Sequence, residues 1–184
     1  PQRAERREEE YLEELASLLR EAVSLRMISD VPLGAFLSGG LDSSLVVALM
    51  GEVAQVPIET FSVGFTEATF SELKHAQSVA NQLGTHHHEY VVDYNIRELL
   101  PSLVEHFGEP FADSSAVPMY YLSRIARQHV TVALSGDGAD ELFAGYNRYK
   151  SVLYAEWLVK LPSIARPAAA QVFRRFGRGE SFQF

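Results

Sequence analysis

Two apolar runs far apart in the chain break off in the same way. VPLGAFL (31–37) runs into Ser38-Gly39-Gly40-Leu41-Asp42, and HVTVAL (129–134) runs into Ser135-Gly136-Asp137-Gly138-Ala139-Asp140. A short apolar run stopped by turn residues is a buried strand. Neither glycine pair suits a strand interior, and both suit tight turns whose backbone N–H groups point at an anion. A fold for this chain must therefore end two strands in anion-holding bends.

Between the bends the chain alternates. IETFSVGF (58–65) and HHHEYVVD (86–93) read as two more strands. SLVVALMGEVA (44–54) is a helix, as is SELKHAQSVANQLG (71–84), which opens on a serine cap and closes on glycine. Further helices are predicted over 95–107, over 115–128 opened by Asp113 and Ser114, and through ELFAGYNRYKSVLYAEWLVKL. Residues 3–28 form an amphipathic lead-in helix with Tyr11, Leu12, Leu15, Leu18, Leu19, Ala22 and Val23 on one face. Asp30-Val31-Pro32 ends it, because the residue before proline leaves the helical region.

Strands alternating with helices predict an α/β fold, a doubly wound, Rossmann-like parallel sheet with helices on both faces. Right-handed crossovers lay the second and third strands on one side of the first, and the fourth returns to its other side. That reversal is the switch point where open sheets bind ligands, beyond the carboxyl ends of the strands. It sets the two bends side by side. The predicted organisation is a lead-in helix (1–29), a nucleotide-type domain (30–150) and a C-terminal helical segment (151–184).

The chemistry of the first bend follows from its residues. SGGLDSS lacks the lysine of the common phosphate loop, yet Ser43 and Ser44 open a helix whose unpaired N–H groups and positive dipole end favour phosphate. Hydroxyls at Ser38, Ser43 and Ser44 add donors, so a phosphate chain is held by amides and hydroxyls alone. Read by itself, S-G-G is only a strand-to-helix turn; the full motif between strand and helix is much more specific. Asp42 and Asp140 then face a common crevice. Two carboxylates near a polyphosphate call for a divalent cation, and Mg²⁺ takes one or two carboxylates plus phosphate oxygens. The simpler use of Asp140, with Glu141, is to favour the start of the next helix.

Composition sets outer limits. A formal net charge of −8 over 184 residues argues against a general nucleic-acid binder. The residues after 150 lean the other way, with five Lys/Arg against Glu156 and Glu180, which is usually a solvated helix face. No apolar run reaches membrane-span length, and a cytoplasmic location is the default expectation. There is no cysteine, hence no disulfide framework and no thiol nucleophile in this chain. The start at Pro1, inside a charged helical pattern, is expected to mark a cut fragment.

SGGLDSS resembles the pyrophosphate loop of the N-type ATP pyrophosphatases. Together with FSVGF, ANQLGTHHHE, EPFADSSAVPMYYLSRIAR and LSGDGADELFAGY, in that order over about residues 10–150, it is similar to the synthetase domain of glutamine-hydrolysing asparagine synthetases. The resemblance implies that ATP activates a carboxylate, by default the side chain of aspartate, as an acyl-adenylate with release of pyrophosphate. Ammonia then displaces AMP to give the amide. It implies that residues 38–44 grip the β- and γ-phosphates, and that Phe36, Val63, Ser135 and Gly136 line the adenosine site. It further implies that Asp42 and Asp140 ligate Mg²⁺ and that Asp137 stands at an acidic position near the reacting centre. Glu109, Asp113 and Ser115 would face the amino-acid substrate.

Two departures qualify the resemblance. Members of that family begin with a glutaminase domain whose first residue is a nucleophilic cysteine, and they extend to a lysine that approaches the phosphates. Lys150 and Lys160 lie in no matching motif. The expectation is a partial synthetase domain, inactive or very weak alone, whose ammonia comes from a glutaminase domain of a longer chain; a homodimer is compatible with this. Relatives that close a lactam or amidate a sugar or peptide carboxylate remain an alternative, as does an ATP-binding domain without turnover.

Among weaker signals, His86-His87-His88 suggests a metal, but on a strand only His86 and His88 share a face, and no further ligand is visible, so a strand-edge or surface role is expected. Tyr120, Tyr121, Tyr146 and Tyr149 suit helix packing better than adenine stacking. Trp157, Phe173 and Phe176 read as one face of the C-terminal helices.

Overall fold

A computed structural model describes residues 6–66, 72–93, 95–109 and 111–146, with residues 149, 152, 160 and 162. Ser71, Lys150, Trp157, Phe173 and Phe176 lie outside the described residues. The chain divides into two compact units, residues 1–137 and 138–184.

The first unit holds α1 (Glu8–Arg26), β1 (Leu33–Phe36), α2 (Leu41–Val53), β2 (Glu59–Phe65), α3 (Leu73–Leu83), β3 (His86–Val92), α4 (Ile96–Phe107), α5 (Ala116–Ala126) and β4 (Val132–Leu134). The sheet order is β3-β2-β1-β4, and every neighbouring pair is parallel. The chain thus reverses between β1 and β4, as the alternation of its elements predicts. Ala35 sits opposite Thr60 and Leu134, and Phe36 opposite Phe61, so the two faces of the sheet carry different sets of side chains.

One face bears the larger core. Ala35, Leu37, Val47, Met50, Ile58, Ala76 and Ala80 close it under α2 and α3. Each large side chain buried there contributes about 1.5–3 kcal/mol. From α1, Val23 is buried, with Leu19 and Met27 packed alongside. Tyr11, Leu12 and Leu18 are exposed, so the carboxyl half of α1 docks while the apolar face predicted for its amino half meets no core. On the opposite face the buried ring of Phe61 packs with Ala126 and Val130, against Phe36 and Leu122. α5 covers that side, which completes the helical cover on both faces.

Thr60 and Ser62 are buried polar residues, and His87 answers both. Its Nδ1 is 2.9 Å from Thr60 Oγ1 and its Nε2 is 3.0 Å from Ser62 Oγ. Burial lowers the His87 pKa, although the Glu89 charge opposes the shift, so the ring is a neutral hydrogen-bonding bridge between β3 and β2.

Among the element boundaries that differ from the sequence reading, two follow from local hydrogen bonding and capping. The predicted strand 129–134 shortens to β4 because the N–H groups of His129 and Val130 turn back to the Ala126 carbonyl, at 2.9 and 2.8 Å. The helix predicted from Ser44 begins at Leu41, with Gly40 as its N-cap. The second unit contributes α6 (Ala139–Phe143), beside which the Tyr146 hydroxyl donates to Glu141 Oε1 at 2.6 Å. No helix among the described residues is long and apolar enough to cross a membrane.

Candidate nucleotide site

The first bend is a closed hydrogen-bond circuit. The Gly40 N–H donates to Ser38 Oγ at 3.2 Å, and the two hydroxyls of Ser38 and Ser43 are 2.9 Å apart. Ser43 Oγ donates to the Gly40 carbonyl at 3.3 Å and accepts from the Ser38 N–H at 3.2 Å. Every proton in this ring has one place to go. The sequence reading offers Ser38 and Ser43 to a ligand as hydroxyl donors; in the structure both hydroxyls also hold the turn.

The backbone adds further donors for an anion. The first ladder bond of α2 runs from the Ser44 N–H to the Gly40 carbonyl at 3.1 Å, so the amides of Leu41, Asp42 and Ser43 precede the ladder. These groups, with the positive end of a thirteen-residue helix, make an anion seat. Ser44 Oγ is buried with no hydrogen-bond partner among the described residues, a costly state for a hydroxyl that nothing accepts. Asp42 stands in the first turn, half-buried.

Two glycines set the walls. Gly39 has φ of 82°, and a Cβ there would lie 2.5 Å from the Ala76 nitrogen and the His75 carbonyl carbon, so the bend is pressed against the start of α3. Gly136 is the more telling. A Cβ on it would lie 2.7 Å from the Ser43 nitrogen and 3.0 Å from Asp42 Cβ. The two Leu-Ser-Gly bends therefore touch, backbone to backbone, at the amide of the first turn of α2. Sequence reasoning placed them side by side by topology, and this contact realises it.

The other predicted residues fall as follows. Phe36 is the last residue of β1, half-buried, and Val63 sits toward the carboxyl end of β2 opposite Tyr90. Ser135 follows β4, and its hydroxyl donates to Asp137 Oδ2 at 2.9 Å while accepting from the Asp137 N–H at 3.3 Å. Asp137 is thereby fixed on the second bend with its carboxylate exposed. Glu109, Asp113 and Ser115 lie exposed between α4 and α5, where the Ser115 N–H donates to Asp113 Oδ1 at 2.9 Å. The backbone bond from Ser115, with its hydroxyl, holds the Asp113 carboxyl below the ordinary range. Asp140 belongs to the second unit, in the first turn of α6, with its carbonyl accepting from the Gly145 N–H at 3.0 Å.

Comparison with known proteins agrees with the geometry. A family model described as asparagine synthase matches residues 14–182. The chain is 42% identical over 157 residues to the glutamine-hydrolyzing asparagine synthetase 1 of Bacillus subtilis, covering 85% of this chain and 25% of that protein. It is 36% identical over 153 residues to the glutamine-hydrolyzing asparagine synthetase B of Escherichia coli, covering 72% of this chain and 27% of that one. The chain spans about a quarter of the length of these curated relatives. Among solved structures, the NMN synthetase of Francisella tularensis has a TM-score of 0.51 at 19% identity, over 73% of this chain and 58% of that one. That likeness shows the fold, the Rossmann-like arrangement of the adenine nucleotide alpha hydrolases.

Proposed function

The chain belongs to the asparagine synthase family, and from that premise we propose that it is an ATP-dependent synthetase domain that adenylates a carboxylate, by default that of aspartate, for amide formation with ammonia. The observation that carries the reading is the Gly136 contact. Two bends that share one anion seat suit a polyphosphate better than a single turn does.

In this proposal the amides of Leu41, Asp42 and Ser43 receive the β- and γ-phosphates, and Gly136, without a side chain, lets the second bend reach that turn. Phe36, Val63, Ser135 and Gly136 border the adenosine. A carboxylate oxygen of the substrate attacks the α-phosphorus, the bond from that phosphorus to the bridging oxygen breaks, and pyrophosphate leaves. Ammonia then attacks the acyl carbon, AMP departs, and a proton is lost from nitrogen. Asp137, held by Ser135, accepts that proton in this reading, and Glu109, Asp113 and Ser115 serve the amino-acid end. The residues also suit a metal: Gly136 packs beside Asp42 Cβ, so a carboxylate stands where the two bends meet. Mg²⁺ held by Asp42 and Asp140 would supply charge neutralisation along the polyphosphate. Positioning supplies much of the remaining rate. Glutamine hydrolysis, which the names of the relatives give for those proteins, would be the source of ammonia, on a glutaminase domain of the longer chain.

The test is pyrophosphate release by the protein that carries this sequence, given ATP, Mg²⁺, ammonia and a panel of carboxylates. Aspartate-dependent release is expected. Release with a different carboxylate alone would assign another acceptor within the family. ATP binding without release for any acceptor would remove the ligase reading.

A further inference from the structure

β3 opens on three histidines, and strand alternation sends His87 to one face and its neighbours to the other. On the side covered by α5, His86 is opposite Glu59 and His88 opposite Phe61. Glu59 meets both imidazoles: its Oε2 is 2.6 Å from His88 Nε2 and its Oε1 is 3.1 Å from His86 Nδ1. The chain brings a third imidazole to the same place. The turn after α5, closed by the His129 N–H on the Ala126 carbonyl, sets the His129 ring against His88 with centroids 4.1 Å apart.

One buried ring orders the set. Phe61 is inaccessible to solvent, stacks on His88 at 5.1 Å and 12°, and lies against His129 at 5.6 Å. One ligand atom from each of Glu59, His88 and His129 falls within 4.8 Å of the other two. Two imidazoles and a carboxylate are donors that late first-row cations favour over Mg²⁺. Metal–ligand distances of about 2.0–2.2 Å place neighbouring donors of a tetrahedral site about 3.3 Å apart. The spacings here, from 2.6 Å between His88 and Glu59 to the 4.8 Å limit, straddle that value, so small side-chain rotations would close the site. Ion pairing accounts for Glu59 with His86 and His88; among the described residues the hydrogen-bond contact of His129 Nε2 is a long one, 3.4 Å to the Tyr90 hydroxyl.

We propose that Glu59, His88 and His129 bind Zn²⁺, with His86 or water in the fourth position, and that the ion ties β2, β3 and the turn after α5 together. The site is independent of the nucleotide reading. Glu59 opens β2 at its amino end, whereas the serine-glycine bends leave the carboxyl ends of β1 and β4.

The experiment is a Zn²⁺ titration of the chelator-treated protein in competition with a chromogenic chelator, paired with thermal melting. One tight equivalent and a raised Tm are expected, unaffected by a hundredfold excess of Mg²⁺. E59Q and H129A should each weaken binding at least tenfold and abolish the rise in Tm, while leaving the metal-free Tm close to that of the parent. His129 is exposed, so H129A decides the matter even where a change at half-buried His88 disturbs folding. Absence of saturable binding, displacement by Mg²⁺, or equal affinity in H129A and the parent would overturn the site.

Discussion

Gly136 carries no side chain at a point where one methyl group would strike the Ser43 amide at 2.7 Å. Neither neighbour has a flexible end to yield, because the atoms met are backbone and the Cβ of Asp42. Overpacking of this kind costs about 1–3 kcal/mol and is relieved by pushing the bends apart. G136A is therefore expected to fold with a lowered Tm and to lose at least tenfold in ATP affinity by calorimetry. Unchanged affinity would separate the second bend from the phosphates. S43A probes the opposite logic: Ser43 Oγ holds the turn through Ser38 and Gly40, so its loss should lower stability by about 1 kcal/mol per bond removed and weaken ATP through a looser loop. The sequence reading offers that hydroxyl to phosphate, and its bonds within the turn were not legible there. A serine two or three places from a partner can bond within its own turn or point outward, and the residue letters are the same.

At the scale of elements, the 3-2-1-4 order and the meeting of two bends were readable, because strand–helix alternation and right-handed crossovers leave few arrangements open. The family was readable too, since several motifs recur in order over most of the chain. Less readable were packing events between distant segments. Glu59, His88 and His129 meet through strand register and a turn that shortens β4, and neither leaves a local pattern. The amphipathic pattern of α1 promised a continuous docked face, whereas packing takes up its carboxyl half around Val23. Gly39 illustrates how one residue joins elements: its φ of 82° and its 2.5 Å approach to the backbone of α3 penalise a side chain twice. G39A should destabilise by several times the roughly 1 kcal/mol typical of a surface helix glycine change. Chemical denaturation measures this; a loss below about 1 kcal/mol would show that the bend does not bear on α3.

At the scale of the whole molecule, the function proposed couples residues from two compact units, since Asp42 belongs to residues 1–137 and Asp140 to residues 138–184. A shared ion makes a quantitative demand on the pair. Residues that act through one ligand are non-additive, because removing either already forfeits what both provide. D42N and D140N should each reduce pyrophosphate release at least a hundredfold at saturating Mg²⁺ in the protein carrying this sequence. The double variant should fall little further than the worse single one. Thermal melts of all three should stay near the parent, because Asp42 is half-buried on a helix start and neither change alters side-chain volume. Losses that multiply in the double variant would assign the two carboxylates to separate tasks. Glutamine gives the control for the chemistry: this chain has no cysteine, so it should release no ammonia from glutamine by itself, and the cycle must be run with ammonia supplied directly. Under those conditions any coupling measured belongs to the synthetase step, and its size tests whether one cation serves both carboxylates.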